Sequence, residues 1–230
     1  MDASFRLREP VMKLVLSATD LHGPRLGSLA LAGVVAFASV CLLAQFARDD
    51  LDWMRAPLSS YLRGEYGWVV KSAYFALSAA LGLLGLGYQR TLAAARSSIP
   101  FVLFVVGGMA LVVTALADSG SRSGPHPVES FIHNLSAAIA FFCVTMAMLI
   151  QAWRFRADEA WRQRFVLAFT LAVACFIALL WYAFLVEHFR GLVQKTVIAM
   201  IVSWLALASS WLRVPMPAVA HERDVDEAPP

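Results

Sequence analysis

The chain has 230 residues, of which 60% are apolar and 15% charged, whereas a soluble domain is about 45–50% apolar and about 25% charged. That balance excludes a water-soluble globule, which could not hide so much hydrocarbon. The formal charge of +3 does not signal a nucleic-acid binder, because the basic residues sit in short clusters between apolar runs and form no stripe.

Residues 1–25 read as an N-terminal segment. Arg6, Arg8, Glu9 and Lys13 interrupt any apolar core there, so no cleavable signal peptide is expected and the first span is retained. A helix that crosses about 30 Å of hydrocarbon at about 1.5 Å per residue needs about 20 mostly apolar residues, since its backbone amides must be satisfied internally. Six stretches within 26–212 meet that requirement. The first lies between Arg25 and Arg48, and a loop from Arg48 to Gly67 leads to the second, Trp68 to Gln89, with Lys71 one turn inside its start. The third lies between Arg96 and Asp118. A Gly/Ser/Pro-rich loop from Asp118 to Glu129 leads to the fourth, which ends near Arg154. The fifth runs between Arg164 and Glu187, and a short hinge from His188 to Gly191 opens the sixth, Leu192 to Leu212, with Lys195 near its beginning. Residues 213–230 combine prolines and charges with a Pro-Pro end, which predicts a disordered tail. The expected fold class is all-α: a polytopic membrane protein built as a bundle of six transmembrane helices.

Lys and Arg accumulate on the cytoplasmic side of a membrane protein. Twelve of them fall on the side of the termini and seven on the other: Arg48, Arg55, Arg63, Lys71, Arg122, Arg190 and Lys195. Both termini are therefore expected in the cytoplasm and the chain in the inner (plasma) membrane, assuming a bacterial source. Trp68 and Trp181 fall near the outer interface, and Trp153, Trp161 and Trp211 near the inner one, as amphipathic indoles prefer.

Imposing this topology gathers the polar chemistry at one end. Lys71, Asp118, Glu129, His133, Glu187, His188 and Lys195 lie at or within about two turns of the outer face, while the inner halves of the spans carry no ionisable group. The pattern predicts an outward-facing polar pocket closed below by an apolar plug, with Ser59, Lys71, Asp118, His133, Glu187, Gln194 and Lys195 as its residues. Short-chained His133 cannot snorkel to the headgroups as a lysine does.

Several chemistries could use such a cluster. His126, His133 and His188, with Asp118 and Glu187, are zinc-type ligands, but His126 and His133 are seven apart across Pro127 and form no helical i, i+4 pair. Bis-histidine haem ligation would need His133 to face His188. Neither a metal nor another cofactor is expected. A hydrolase would use His133 as base, Asp118 as its orienting carboxylate and Ser59, Ser60, Ser130 or Thr114 as nucleophile, without a GxSxG elbow to support it. Non-catalytic binding asks least of the geometry: Lys71, Arg190 and Lys195 would hold an anionic headgroup while the helices hold its tail.

Gly82, Gly85 and Gly87 in the second span, with Ala76, Ser78 and Ala80, and Gly107 and Gly108 in the third, predict close helix approach rather than a ligand loop. Cys41, Cys143 and Cys175 sit in apolar stretches without CxxC spacing and read as small packing residues.

Pro57-Leu58-Ser59-Ser60-Tyr61 before the second span, its glycines, Asp118 after the third, His133 entering the fourth and Gly191-Leu-Val-Gln194-Lys195 opening the sixth together resemble the bacterial and archaeal membrane family catalogued as domain of unknown function 998. The resemblance covers Gly27 to Leu212 and implies the same six-span layout without an activity. Where that family has a Phe-Pro pair before the aspartate and an acidic residue with arginine opening the last span, this chain has Ala115-Leu116 and Gln194-Lys195. The expected function is binding of a lipid or small amphiphile in the outward pocket. The alternatives are an intramembrane lipid-active hydrolase and a membrane-complex assembly subunit; whether the chain is an enzyme stays open. Expected partners are membrane lipids, and a membrane protein or second copy docking on the glycine-rich second span.

Overall fold

A computed structural model describes residues 22–92, 97–117, 127–185 and 189–214. The N-terminal segment to residue 21, the loop 118–126 and the expected tail from residue 215 onward lie outside the described residues, whereas Arg213 closes the last helix. Among the described residues six α-helices carry the fold: α1 (His22–Ala47), α2 (Gly67–Thr91), α3 (Ile99–Ala117), α4 (Pro127–Phe155), α5 (Phe165–Leu185) and α6 (Arg190–Arg213). All six are long and apolar enough to cross a membrane, and no strand occurs among the described residues. The chain is an all-α, multi-pass membrane protein.

Each helix packs on its neighbours in sequence, and α6 returns to α1, so the six form a closed ring; α2 also touches α6. Lipid offers no hydrophobic drive for helix association, so close approach depends on small residues. A Cβ at Gly33 would stand 2.8 Å from the Ala76 carbonyl oxygen, one at Gly107 2.8 Å from a Val144 methyl, and one at Gly108 3.0 Å from the Ser78 carbonyl. These positions fix the α1–α2, α3–α4 and α2–α3 contacts. Gly85 and Gly87 likewise press on Phe101 and Leu212, but Gly82 has nothing within 4 Å among the described residues. The packing expectation thus holds for four of the five glycines that carried it and fails for Gly82, whose Cβ position meets open space.

The end of the bundle nearest the termini is closed by rings. Tyr88, Phe155, Trp161 and Trp211 interlock, with Phe155 stacked on Trp161 at 5.2 Å and Tyr88 edge-on to Trp161 at 5.1 Å. The Tyr88 hydroxyl donates to the Ala208 carbonyl at 2.8 Å and the Trp204 indole to that of Ala168 at 2.8 Å. Arg164 lies over Trp161 and donates to the Trp211 carbonyl. The expected plug is therefore aromatic, and it is not free of charge: Arg154, in the last turn of α4, is only 5% exposed and donates to Gln151 at 3.3 Å. Sequence boundaries had put Arg154 at the interface, whereas the helix continues to Phe155 and turns its guanidinium inward. Trp68, Trp153 and Trp181 are exposed as an interfacial belt requires, but Trp161 is 2% exposed and belongs to the plug.

Candidate functional site

At the opposite end the 48–66 loop folds down over the ring. Arg48 donates to both carboxylate oxygens of Asp50 at 2.6 Å and to the Arg63 carbonyl. These bonds hold the Asp50 carboxyl below its ordinary range and push the Arg48 guanidinium higher still. The Arg48 side chain passes against Gly64, whose φ of +85° and missing Cβ make room for it. A short 3-10 turn, Leu58–Leu62, buries Leu58, Tyr61 and Leu62. Burial raises the Tyr61 phenol, whose hydroxyl finds no hydrogen-bond partner among the described residues.

This lid is fastened to the first turns of α6. The Leu192 amide donates to the Met54 carbonyl at 2.9 Å, the Leu58 amide to Gln194 Oε1 at 2.9 Å, and Lys195 Nζ to the Trp53 carbonyl at 2.6 Å. Lys195 also stands 5.2 Å from the centre of the Tyr61 ring. Gln194 Nε2 donates to the Tyr182 hydroxyl at 3.3 Å, which ties α5 into the same knot. Phe189, just before α6, takes the left-handed conformation with φ 56°.

Beneath the lid lies a narrow, elongated cavity of about 70 Å³. One wall is α4, through His133, Ala137, Ala140, Phe141 and Val144; the facing wall is α6, through Gln194, Ile198, Ile201, Val202 and Leu205. Both sets follow the spacing i, i+4, i+7, i+8, i+11, one face of an α-helix. Eleven residues of helix rise about 16 Å, roughly half the hydrocarbon thickness of a bilayer. Ser59, Tyr74, Thr114, His133 and Gln194 carry the polar groups, all toward the lid end, and the depth is apolar.

A second, wider space of about 210 Å³ sits above it, between the lid and the start of α4. Pro57, Ser59, Ser60 and Arg63 line it from the lid; Ser130, His133 and Asn134 line it from α4. Ser59 and His133 line both spaces and mark the neck, the place where a polar vestibule and an apolar tunnel adjoin.

The state of His133 follows from its contact. Nδ1 lies 3.1 Å from the Thr114 carbonyl oxygen, which can only accept, so Nδ1 carries a proton whether the ring is neutral or charged. In the neutral ring the lone pair is then on Nε2. Thr114 is itself held at 2.8 Å by the Ser136 hydroxyl, which donates to the His133 carbonyl at 3.0 Å. This closed set of hydrogen bonds fixes the imidazole against α3.

Of the residues expected at the site, Ser59, His133 and Gln194 converge on the cavity. Lys195 does not line it: its ammonium is engaged by the Trp53 carbonyl and the Tyr61 ring, so it fastens the lid and pairs with no carboxylate within salt-bridge reach among the described residues. Lys71, in the first turn of α2, lines neither space. Asp118, Glu187, His126 and His188 lie outside the described residues, and no group of three or more metal-ligating side chains gathers among the rest. Sequence reasoning missed Arg63 and Asn134 as lining residues. The matched spacing of α4 and α6 was a signal that could have placed the tunnel.

The sequence matches the model of a family described as "Protein of unknown function (DUF998)" over residues 31–211. That stretch includes both walls, the lid and the neck. No curated protein and no solved structure matches.

Proposed function

The chain belongs to DUF998, and on that premise we propose that it binds a single-chain amphiphile, with the head in the vestibule and the acyl chain in the tunnel. The observation that supports this is that the two spaces adjoin at Ser59 and His133, which line both. A polar chamber leading into an apolar channel about 16 Å deep suits a molecule that is itself polar at one end and apolar for about one leaflet. The excess of Lys and Arg on the side of the termini orients the vestibule outward, with both termini cytoplasmic and the protein in the inner membrane. The amphiphile is then taken from the outer leaflet.

The test is mass spectrometry of lipid that co-purifies from a mild nonionic detergent. The wild type is expected to carry a single-chain lipid in near-stoichiometric amount. Ala137→Phe, which fills the tunnel from α4, and His133→Ala, which opens the neck, are expected to lose it with little change in melting temperature. Unchanged lipid content in both variants overturns the reading.

A second reading has one observation in its favour. Ser59 and His133 meet at the neck, where an ester between head and chain would lie, and His133 Nε2 could take the Ser59 proton as the serine oxygen attacks the ester carbonyl. No hydrogen bond joins Ser59 to His133 in this structure, which ranks binding first. Release of fatty acid by the purified wild type, and its absence in Ser59→Ala, would reverse that order.

A further inference from the structure

The far end of the bundle, away from the lid and the tunnel, carries a surface with a chemistry of its own. We infer that the junction of α4 and α5 is a binding site for an anionic phospholipid of the leaflet on the side of the termini. Arg156 and Arg162 hold its phosphate-bearing head, and the Trp153 ring lies at the top of its chains. This site is separate from the tunnel and does not rest on the amphiphile reading.

The sequence sets the charge. The connection from Arg154 to Arg164 holds four arginines against two carboxylates, Asp158 and Glu159. The fold then sorts them. Arg154 is buried and donates to Gln151, and Arg164 lies over Trp161 and donates to the Trp211 carbonyl, so both serve the plug. Asp158 is buried as well, and its carboxylate accepts from the Ala160 amide in the turn it begins. Arg156, Arg162 and Glu159 are exposed, so this connection shows two cations to one anion at its surface.

Packing brings the exposed arginines to one edge. Trp153, in the last turn of α4, meets Phe165, the first residue of α5, with ring centres 6.0 Å apart and planes at 78°, and Phe169 at 5.6 Å. Arg156 follows Trp153 by three residues and Arg162 precedes Phe165 by three. The ring contact that joins the helix ends therefore draws together the two turns that carry the guanidinium groups. The Arg156 guanidinium carbon stands 4.6 Å from the centre of the Trp153 ring. That cation–π contact places a long side chain without taking its N–H donors, which match the paired oxygens of a phosphate.

Trp153 is half exposed. Leu149, Met146 and Phe142 precede it by four, seven and eleven residues, one face of α4 that is partly or fully exposed over about 16 Å. Arginine at the head level, indole at the interface and hydrocarbon beyond repeat the order of a phospholipid along the membrane normal. The charge of the head is set by the excess of arginine.

Purified full-length protein in a mild nonionic detergent is titrated with dioleoyl phosphatidylglycerol and dioleoyl phosphatidylcholine, which share their chains, and binding is read by native mass spectrometry. Phosphatidylglycerol is expected to bind at least about fivefold more tightly, the scale of one basic residue at an anionic surface. Arg156→Gln combined with Arg162→Gln should bring the two lipids to parity, and Glu159→Gln should widen the gap. Trp153→Leu, which leaves the charge untouched, should weaken phosphatidylglycerol severalfold. Arg213→Gln removes an exposed arginine from the same end of the bundle but from α6, and should leave the preference as it is. The preference should also persist in Ala137→Phe, whose tunnel is filled, so this site and the amphiphile reading fail separately.

Equal affinity for the two lipids in the wild type overturns the inference. So does an undiminished preference in the double arginine variant or in Trp153→Leu. An equal fall in Arg213→Gln marks a general surface charge and overturns the site, and loss of the preference in Ala137→Phe assigns the lipid to the tunnel and does the same.

Discussion

Gly191→Ala should loosen the lid and with it the neck. A Cβ at this position would stand 2.5 Å from the Arg55 carbonyl oxygen and 2.6 Å from that of Ala56. Both obstacles are backbone and cannot rotate away. Ordinary contact begins at 3.4 Å, so the 53–58 segment must retreat by 3.4 minus 2.6 to 3.4 minus 2.5, or 0.8 to 0.9 Å. Added to the 2.9 Å between the Leu192 amide and the Met54 carbonyl, such a shift breaks that hydrogen bond. The Leu58–Gln194 and Lys195–Trp53 bonds are anchored on the same segment and stretch with it. At about 1 kcal/mol for each neutral bond and somewhat more for the charged one, the loss is about 2–4 kcal/mol. For a chain of this size that is a fall of roughly 5–15 °C in melting temperature. The local readout is the rate at which a water-soluble maleimide labels Ser59→Cys, against the slow background of the buried Cys41, Cys143 and Cys175. Labelling should accelerate severalfold in Gly191→Ala. Melting and labelling both indistinguishable from the Gly191 parent would refute the view that the first turn of α6 holds the lid.

The remaining expectations concern packing, the plug and acid. Gly82→Ala should leave melting unchanged or raise it slightly, since nothing lies within 4 Å of the new methyl. Gly107→Val, which drives a side chain into Val144, should cost about 1–3 kcal/mol in the same assay. Tyr88→Phe removes the hydroxyl that donates to Ala208 and should cost about 1 kcal/mol, while the amount of co-purified lipid stays at the wild-type level because the plug lies at the far end of the bundle. The depressed carboxyl of Asp50 stabilises the lid above the ordinary aspartate range, and that contribution disappears as pH falls through the lowered folded value. A melting profile from about pH 7 down to about pH 3 should therefore steepen in acid for the wild type and flatten in Asp50→Asn.

The six spans were legible because lipid admits only helices whose backbone is internally satisfied, so length and apolarity suffice to find them. The polar end was legible for the same reason: an ionisable group in hydrocarbon is costly, and its position stands out against an apolar sequence. What could not be read was which polar groups face each other. Lys71 and Lys195 have the same signature in sequence as His133, a polar residue about one turn inside a span. Their fates are decided by the lid, whose carbonyl at Trp53 captures Lys195. Arg63 lay in a loop, where no periodicity assigns a side chain to a face, so its place in the vestibule depended on the 3-10 turn before it and on Arg48. Gly82 was grouped with Gly85 and Gly87 by composition, but three residues of helix rotate its Cβ position into open space.

The asymmetry between plug and tunnel has a common cause in the ring. Six helices that pack neighbour to neighbour leave a central space that side chains must fill, because lipid-facing residues contribute nothing to it. At one end the sequence supplies Tyr88, Phe155, Trp161 and Trp204, all buried, and the space closes. At the other the same α4 face offers Ala137 and Ala140, and no α5 residue is among those that line the space. Small residues on the inner face of a ring leave a void, and a void in a well-packed interior costs stability. Retaining one beneath a hydrogen-bonded lid, with its polar groups confined to the mouth, is the arrangement expected where the missing volume belongs to a ligand.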